Sequence, residues 1–222
     1  MEQLAGPGFR PADPVPGTGC GLYLITDRAA TPRPIATVVE ECLEAGLRAV
    51  QLREKDLGVV ELLDLSRVLR VATDRHRARL IVNDRADVAL AAGADGVQRT
   101  HTSLPIAALR HACGRQMLLG ASVHGAEEAV AAEAEGADFV VFGPVYDTPS
   151  KRAYGPPQGL AALARAAGSL RAPIIAVGGI TPERVSEVLA HGAQGVAVIG
   201  AILRSPRPGE ATRAFLDALG RA

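Results

Sequence analysis

The chain has few aromatic residues, no tryptophan and no excess of charge of either sign. Its 24 lysine and arginine residues equal its 24 aspartate and glutamate residues. Proteins that bind nucleic acid or an anionic membrane surface usually carry a basic excess, so we expect neither partner. A small anion can still bind, because that needs only a few cations gathered at one site.

Cysteine is also scarce, and the three that are present, Cys20, Cys42 and Cys113, are far apart in the chain. No Cys-x-x-Cys or Cys/His ligand spacing occurs, which argues against a zinc site and against a disulfide framework. Free thiols are typical of the reducing cytoplasm, and we predict that location. No apolar run approaches the length of a membrane helix.

The first twenty residues are rich in glycine and proline and lack the apolar core of a signal peptide. We interpret residues 1–20 as a flexible N-terminal arm, because a segment of this composition buries little apolar surface. Residues 21–222 contain no long linker and are numerous enough for one sizeable core. We therefore predict one folded domain over residues 21–222.

Short apolar runs alternate with helical patterns along this domain, which is typical of an α/β protein with a parallel sheet. One pattern, a helix end followed by a glycine, a tight turn and a strand start, recurs at Gly46, Gly93, Gly136 and Gly192. The predicted strands lie at 21–26, 47–52, 80–82, 96–98, 117–121, 138–142, 173–177 and 195–199.

A count of eight strands favours a closed (β/α)₈ (TIM) barrel over the alternative, an open doubly wound sheet. Each predicted strand ends in a polar or glycine-rich cluster. In such barrels the active site lies at the carboxyl ends of the strands. The polar clusters are therefore predicted to meet at one rim.

Two glycine-containing turns predict a phosphate site. Gly178 and Gly179 follow the seventh strand, and Ile199 and Gly200 come at the end of the eighth. Glycines let backbone N–H groups approach a phosphate, and barrels often bind phosphate after these two strands. The alternative is a pair of ordinary tight turns.

The densest cluster of charges follows the second strand, where Arg53 and Lys55 alternate with Glu54 and Asp56. Charges are costly to bury without partners, so we expect them to emerge at the carboxyl end of the strand. The two cations and Gln51 share one side of an extended segment, and converging cations suit a polyanion. The alternative is a solvated loop in which the carboxylates pair with the cations.

The longest loop of the chain runs from about 143 to 157 and contains Lys151, a third candidate cation for the same anion. Long loops above a barrel often act as lids over the site. The stretch from Thr148 through Ser150 to Lys151 is therefore expected to cover bound substrate.

Asn83 and Asp84 end the third strand. A carboxylate and an amide near a polyanion suggest Mg²⁺, which is usually held by one or two carboxylates together with phosphate oxygens. The alternative is a cap for the helix that starts at Ala86, because Asp and Asn are good N-cap residues.

His124 follows Ser122 at the end of the fifth strand. Histidine is the usual acid or base near neutral pH, and this position is on the expected active rim. The alternative is a structural histidine. His101 is a weaker acid/base candidate, and Gln98 and Arg99 are candidates for ligand contact.

Together these segments resemble the thiamin phosphate synthase / TenI family. The resemblance covers nearly the whole chain after the arm and implies a (β/α)₈ barrel. The matching segments are 24–27, 51–56, 82–89, 93–97, 143–151, 177–180 and 195–198.

Resemblance to the synthase branch implies that hydroxymethylpyrimidine pyrophosphate loses pyrophosphate and is attacked by the nitrogen of hydroxyethylthiazole phosphate. These phosphorylated pyrimidine and thiazole molecules would be the partners. The motifs imply that the pyrimidine pyrophosphate is held by Gln51, Arg53, Lys55, Asn83 and Lys151. They imply that Asp84 binds Mg²⁺ and that Ser122 lies near the departing pyrophosphate. They also imply that the thiazole phosphate is held by Thr148, Ser150 and the backbone at Gly178, Gly179, Ile199 and Gly200.

One segment departs from the synthase pattern. After strand four the synthases usually read His-Leu-Gly-Gln-x-Asp, where the Asp is a second Mg²⁺ ligand, and here Ser103 takes its place. A hydroxyl is a poorer ligand, so a weakened metal site is expected. In addition, His124 followed by Glu127 and Glu128 resembles the thiazole tautomerase branch, whose matching histidine moves a proton.

Three functions are therefore weighed: the synthase, a TenI-like tautomerase that uses His124, and a non-catalytic regulator that binds thiamin precursors. The retained cations and Asn83–Asp84 favour the synthase, because a tautomerase has little need for a pyrophosphate site and unpartnered charges are costly to keep. The sequence leaves the oligomeric state open, a homo-oligomer included.

Overall fold

The computed structural model describes Val15, residues 21–148 and residues 156–220. Eight parallel strands form a closed barrel in which each strand pairs with the next and the eighth pairs with the first. This confirms the predicted (β/α)₈ barrel and excludes the open sheet. The strands are β1 (Leu22–Ile25), β2 (Ala49–Leu52), β3 (Arg79–Asn83), β4 (Gly96–Arg99), β5 (Leu118–Val123), β6 (Phe139–Phe142), β7 (Ile174–Val177) and β8 (Gly195–Val198).

Helices follow the strands and cover the outside of the barrel. In the described part of the chain they are α1 (Ile35–Glu44), α2 (Val59–Arg75), α3 (Ala86–Ala92), α4 (Ile106–Cys113), α5 (Ala126–Ala134), α6 (Gly159–Gly168), α7 (Val185–Ala190), α8 (Gly200–Leu203) and α9 (Pro208–Gly220). Short 3₁₀ turns at Arg28–Ala30 and Pro182–Arg184 complete the set. Helix α8 and the Arg28–Ala30 turn are not apparent from the sequence pattern, because each is too short to show a period.

Both faces of the strands are buried, which explains why the strands appear in sequence as continuous apolar runs. In β1, Leu22 and Leu24 pack outward against the helices, whereas Tyr23 and Ile25 point into the barrel. The same alternation continues in the other strands. The inside of the barrel is therefore a packed core, in which the buried polar side chains Gln51 and Gln98 lie toward the carboxyl ends of their strands.

Two aromatic residues, Tyr23 and Phe139, lie in this inner core. Tyr23 and Phe139 are fully buried and meet edge to face, with ring centroids 6.1 Å apart. Glycine at the facing position of β5 makes room for them, because a Cβ atom on Gly120 would lie 2.5 Å from the Phe139 ring. A larger residue there would displace the ring.

The repeated pattern that precedes the even-numbered strands has a structural explanation. All four of its glycines adopt positive φ, from 64° at Gly93 to 112° at Gly46, which L-residues with a side chain rarely adopt. In three of the copies, a side chain just after the turn accepts the backbone N–H of a residue in the preceding strand. The pairs are Asp95 with Leu80, Asp138 with Leu119, and Gln194 with Ile174.

Most of the predicted N-terminal arm, residues 1–14 and 16–20, lies outside the described residues. Val15 is described, and it is 1% exposed among the inner-core side chains of the barrel. Among the described residues, no helix combines the length and the apolarity needed to cross a bilayer.

Candidate active site

The end of β2 is held rigidly by the neighbouring strand β1. Gln51 is buried in the barrel, and its Nε2 donates to the Tyr23 hydroxyl at 3.1 Å. The backbone N–H of Arg53 donates to Thr26 Oγ1 at 2.9 Å, and the Thr26 N–H donates back to the Gln51 carbonyl. These hydrogen bonds fix the point at which the chain leaves the barrel, and so they fix where the side chains after β2 begin.

Not all four charges after β2 emerge into solvent, and this corrects the sequence-based expectation. Glu54 is 7% exposed, and it accepts the Arg28 backbone N–H at 2.9 Å. Asp56 pairs with Arg28 Nη2 at 2.8 Å. Both carboxylates therefore contact Arg28 of the β1 loop. The alternative interpretation, in which they pair with the cations beside them, is not what the structure shows.

Arg53 and Lys55 have no acidic partner in the part of the chain that the structure describes. Among the residues that the structure describes, no carboxylate oxygen lies within 4.0 Å of either cationic group. Arg53 is half-buried and Lys55 is exposed at the carboxyl rim. Two cations therefore stand on one short segment without an acidic partner among the described residues, which favours a locally positive rim although the net charge of the chain is zero.

Asn83 and Asp84 lie next to this cluster, because β2 and β3 pair in register from Ala49–Arg79 to Leu52–Val82. Asp84 adopts φ 66°, an uncommon conformation for a residue with a side chain, and its N–H donates to the Gln98 carbonyl at 2.9 Å. It does not cap α3, whose N-cap residue is Arg85 without a side-chain hydrogen bond. The capping alternative is therefore wrong.

Ser103 contacts Asp84 directly. Its hydroxyl donates to Asp84 Oδ1 in a short hydrogen bond, and its Oγ accepts the Thr100 N–H at 2.8 Å. A cavity of about 460 Å³ opens beside the pair, with Thr102 and Leu104 also in its lining. Ser103 thus lies beside Asp84, at the position where the resemblance to the synthases predicts a second carboxylate.

The end of β5 carries Ser122 and His124. Ser122 Oγ accepts a hydrogen bond from Gln98 Nε2 at 3.0 Å, which directs it toward the barrel axis above the buried Gln98. His124 is exposed on the rim, where its N–H donates to Glu128 Oε2 at 2.9 Å and its Nδ1 lies 3.4 Å from the same oxygen. Its proposed acid/base role stays a prediction.

The two glycine turns occupy neighbouring positions on the same rim, since β7 pairs with β8. Gly178 and Gly179 have φ values of 104° and 65°, and a Cβ atom on Gly178 would lie 2.5 Å from Pro144. Ile199 is the N-cap of the short helix α8, and Gly200 is its first residue. Only β1 separates these turns from the cationic end of β2.

The loop after β6 is attached to the β7 turn by contacts that sequence reasoning missed. The Tyr146 hydroxyl donates to Glu187 Oε2 at 2.7 Å, and Arg184 stacks over its ring at 4.3 Å. Burial and the hydrogen bond to Glu187 raise the pKa of Tyr146 to about 12, so the phenol stays protonated. Thr148 lies beyond this anchor, whereas Ser150 and Lys151 are outside the described residues.

Comparisons with known proteins identify the family to which this chain belongs. The family model described as thiamine monophosphate synthase matches residues 22–202. The chain belongs to the thiamine monophosphate synthase family.

Two relatives and one solved structure illustrate the extent of the match. A Geobacter sulfurreducens protein that provisionally carries the name thiamine-phosphate synthase is 52% identical over 89% of this chain and 93% of its own. Thiamine-phosphate synthase from Methanospirillum hungatei is 42% identical over 89% and 97%. The structure of thiamine phosphate pyrophosphorylase from Pyrococcus furiosus superposes with a TM-score of 0.84 at 36% identity, covering 90% of this chain and 95% of that one.

Mg²⁺ is the metal that membership of this synthase family suggests, and the donors at the β3 rim fit it in a limited way. Asp84 and Ser103 offer a carboxylate and a hydroxyl, both oxygen donors, beside a cavity with room for water. The described residues contain no group of three or more His, Cys, Asp or Glu arranged to hold a metal. The donor set therefore suits an Mg²⁺ ion that takes most of its ligands from phosphate and water.

Proposed function

We propose that this protein is a thiamine-phosphate synthase, which joins hydroxymethylpyrimidine pyrophosphate to hydroxyethylthiazole phosphate and releases pyrophosphate. The observation that carries this function is the pair of cations, Arg53 and Lys55, left without acidic partners in the described structure. A pyrophosphate group supplies the negative charge that such a pair requires. Two phosphate turns on β7 and β8 give the second substrate a separate place on the same rim.

The reaction breaks the bond between the pyrimidine methylene carbon and the ester oxygen that joins it to the pyrophosphate group. Both electrons of that bond leave with the pyrophosphate, and the lone pair of the thiazole nitrogen forms the new carbon–nitrogen bond. The product is the thiazolium cation of thiamine phosphate, and no oxidant or reductant takes part. The catalytic need is therefore to stabilise the departing negative charge and to hold the two heterocycles in line.

In this scheme Arg53 and Lys55 stabilise the negative charge on the departing pyrophosphate. Lys151, from the loop outside the described residues, supplies a third cation. Ser122 can donate its hydroxyl hydrogen to the pyrophosphate, because its oxygen already accepts from Gln98. Asn83 and Gln51 position the pyrimidine end. Thr148, Ser150 and the turns at Gly178–Gly179 and Ile199–Gly200 bind the thiazole phosphate.

An Mg²⁺ ion bound with the pyrophosphate would supply further charge neutralisation, and Asp84 with Ser103 would hold it at the β3 rim. Asp84 reaches that position through its positive φ, and Ser103 restrains its carboxylate from the next loop. We place the reaction in a reducing cytoplasm, because Cys42 and Cys113 are free thiols.

The direct test is an assay for pyrophosphate release with both purified precursors, with the product identified by mass. Release that needs both precursors and Mg²⁺, with formation of thiamine phosphate, is the expected result. Conversion of a thiazole carboxylate phosphate without any pyrimidine substrate would instead support the tautomerase, for which the exposed His124–Glu128 pair is the candidate group. Binding of either precursor without turnover would support the regulator.

Replacing Ser103 with aspartate should restore the second carboxylate and lower the Mg²⁺ concentration for half-maximal activity. We expect a shift of about tenfold, equivalent to about 1.4 kcal/mol of metal binding. The measurement is an Mg²⁺ titration of the pyrophosphate-release rate. Ser103→Ala is the matched control, because it removes the hydrogen bond to Asp84 without adding charge, and it should shift the titration the other way. An unchanged titration in S103D would remove Ser103 from the metal site.

A further inference from the structure

Arg28 makes three contacts with the segment that carries the proposed pyrophosphate site, although it comes from a different loop. Its Nη2 lies 2.8 Å from Asp56 Oδ2, and its Nε lies 3.5 Å from Glu54 Oε2. Its backbone N–H donates to the same Glu54 oxygen at 2.9 Å. Arg28, which follows β1, therefore contacts both carboxylates of the charged segment after β2.

The backbone of the two loops is joined at the same point. Ile25 pairs with Gln51 in the β1–β2 ladder, and Thr26 continues the contact by accepting the Arg53 N–H. Glu54 and Asp56 both contact Arg28 in the β1 loop, whereas no described carboxylate lies within ion-pair distance of Arg53 or Lys55. The separation of the two kinds of charge depends on what the β1 loop offers to the carboxylates.

The Glu54 side chain has only 2% of its surface exposed, so its charge needs a partner. Burial raises the pKa of Glu54, and the hydrogen bonds from the Arg28 N–H and from Thr26, with the Arg28 charge, oppose that rise. Without the guanidinium, Arg53 and Lys55 are the cations next to the two carboxylates in sequence. A carboxylate that pairs with them competes directly with a bound polyanion.

We propose that Arg28 is a positioning residue for the pyrophosphate site: it holds Glu54 and Asp56 on the β1 side and so keeps Arg53 and Lys55 free to bind the anion. This rests on the proposed function for the identity of the anion. Arg28 does not touch the substrate in this scheme. Its effect passes entirely through the two carboxylates.

The test compares four proteins: the wild type, R28M, E54Q/D56N and the triple variant R28M/E54Q/D56N. The probe is inorganic pyrophosphate with excess Mg²⁺, and its affinity is measured by titration calorimetry. We expect R28M to bind about five- to tenfold more weakly, because the ion pair with Asp56 is exposed and the one with Glu54 spans 3.5 Å, so each has a small effect. We expect E54Q/D56N to bind at least as tightly as the wild type, and the triple variant to bind like E54Q/D56N.

Rescue by removal of the carboxylates separates positioning from a merely structural role. If Arg28 only stabilised the loop, its loss would weaken binding equally with and without Glu54 and Asp56, and that result would overturn the proposal. Equal affinity of R28M and the wild type would also overturn it. If R28M does not fold, the comparison of E54Q/D56N with the triple variant still decides, because a large difference between them contradicts the scheme.

Steady-state kinetics give a second readout. In R28M the KM for the pyrimidine pyrophosphate should rise about as much as the pyrophosphate affinity falls, whereas the KM for the thiazole phosphate should be unchanged. Failure of the wild type to make thiamine phosphate would reject the proposed function alone. The pyrophosphate titration would still report on Arg28, because it needs binding and not turnover.

Discussion

Replacing Lys55 with methionine should lower kcat/KM for the pyrimidine pyrophosphate by about 10²- to 10³-fold, and Arg53→Met should have a similar effect. Removal of one group that stabilises developing negative charge costs other enzymes about this much. Lys55 emerges at the carboxyl end of β2, and no described carboxylate lies within ion-pair distance of it. The measurement is the initial rate of pyrophosphate release over a range of pyrimidine substrate.

The control for this prediction is Arg213→Met. Arg213 is an exposed cation on α9, on the outside of the barrel, so its removal changes the net charge by the same amount without touching the rim. It should leave kcat/KM within about twofold of the wild type. Wild-type turnover in both K55M and R53M would exclude the β2 cations from the site.

Replacing Asp95 with asparagine should lower the free energy of unfolding, and by more than the same change at Asp138. Asp95 accepts hydrogen bonds from the Leu80 N–H at 2.8 Å, from Arg70 at 2.5 Å and from Arg79 at 2.7 Å. Removing one charge from such a partly buried network should cost about 3 kcal/mol, the lower end for buried pairs. For a chain of this length that corresponds to roughly 6–12 °C in Tm, measured by calorimetry.

Asp138→Asn is the matched control, since Asp138 occupies the same place in the repeated pattern. Its side chain is 35% exposed and, among the described residues, forms an ion pair with Arg110 alone, so its replacement should cost no more than about 1 kcal/mol. If D95N and D138N are equally stable, the Asp95 network does not contribute as proposed.

The effect of Asp95 should depend on pH. Burial raises the pKa of Asp95, but the hydrogen bonds from Leu80, Arg79 and Arg70 outweigh burial and hold the pKa below the ordinary value of 3.8. Between the folded-state pKa of Asp95 and 3.8, the unfolded chain binds more protons than the folded chain. The stabilisation is therefore present above pH 3.8 and is lost as the pH falls through the folded-state pKa. Urea unfolding of the wild type and D95N should converge below pH 3.8 and differ by a constant amount above pH 5.

The barrel itself could be predicted because its determinants are local and repetitive. Strands buried on both faces appear in sequence as apolar runs, and each repeat of the helix-end glycine marks the start of another strand. Positive φ at Gly46 and Gly93 is required wherever these turns occur, so the signal is visible without any tertiary contact. The direction of the strands then places Gln51, Asn83, Ser122 and the two glycine turns at one rim.

Other features of the site depend on side chains that are distant in sequence. Glu54 was expected to emerge with its neighbours, but it is buried because Arg28, 26 residues earlier, supplies its partner. A helix cap was the alternative interpretation of Asp84, but its backbone turns to positive φ and its carboxylate accepts from Ser103, 19 residues later. No local pattern distinguishes these outcomes from the alternatives.

The sequence by itself determined the alternation of strands and helices, the count of eight, and which residue types stand at the strand ends, because these follow from short-range periodicity and turn conformation. Only the tertiary structure decided which charges are paired and which remain free. Ion pairs form between whichever groups the closed barrel brings within a few ångströms. At the end of β2, the pairing of β1 with β2 placed Arg28 against the two carboxylates and left Arg53 and Lys55 without acidic partners in the described part of the chain.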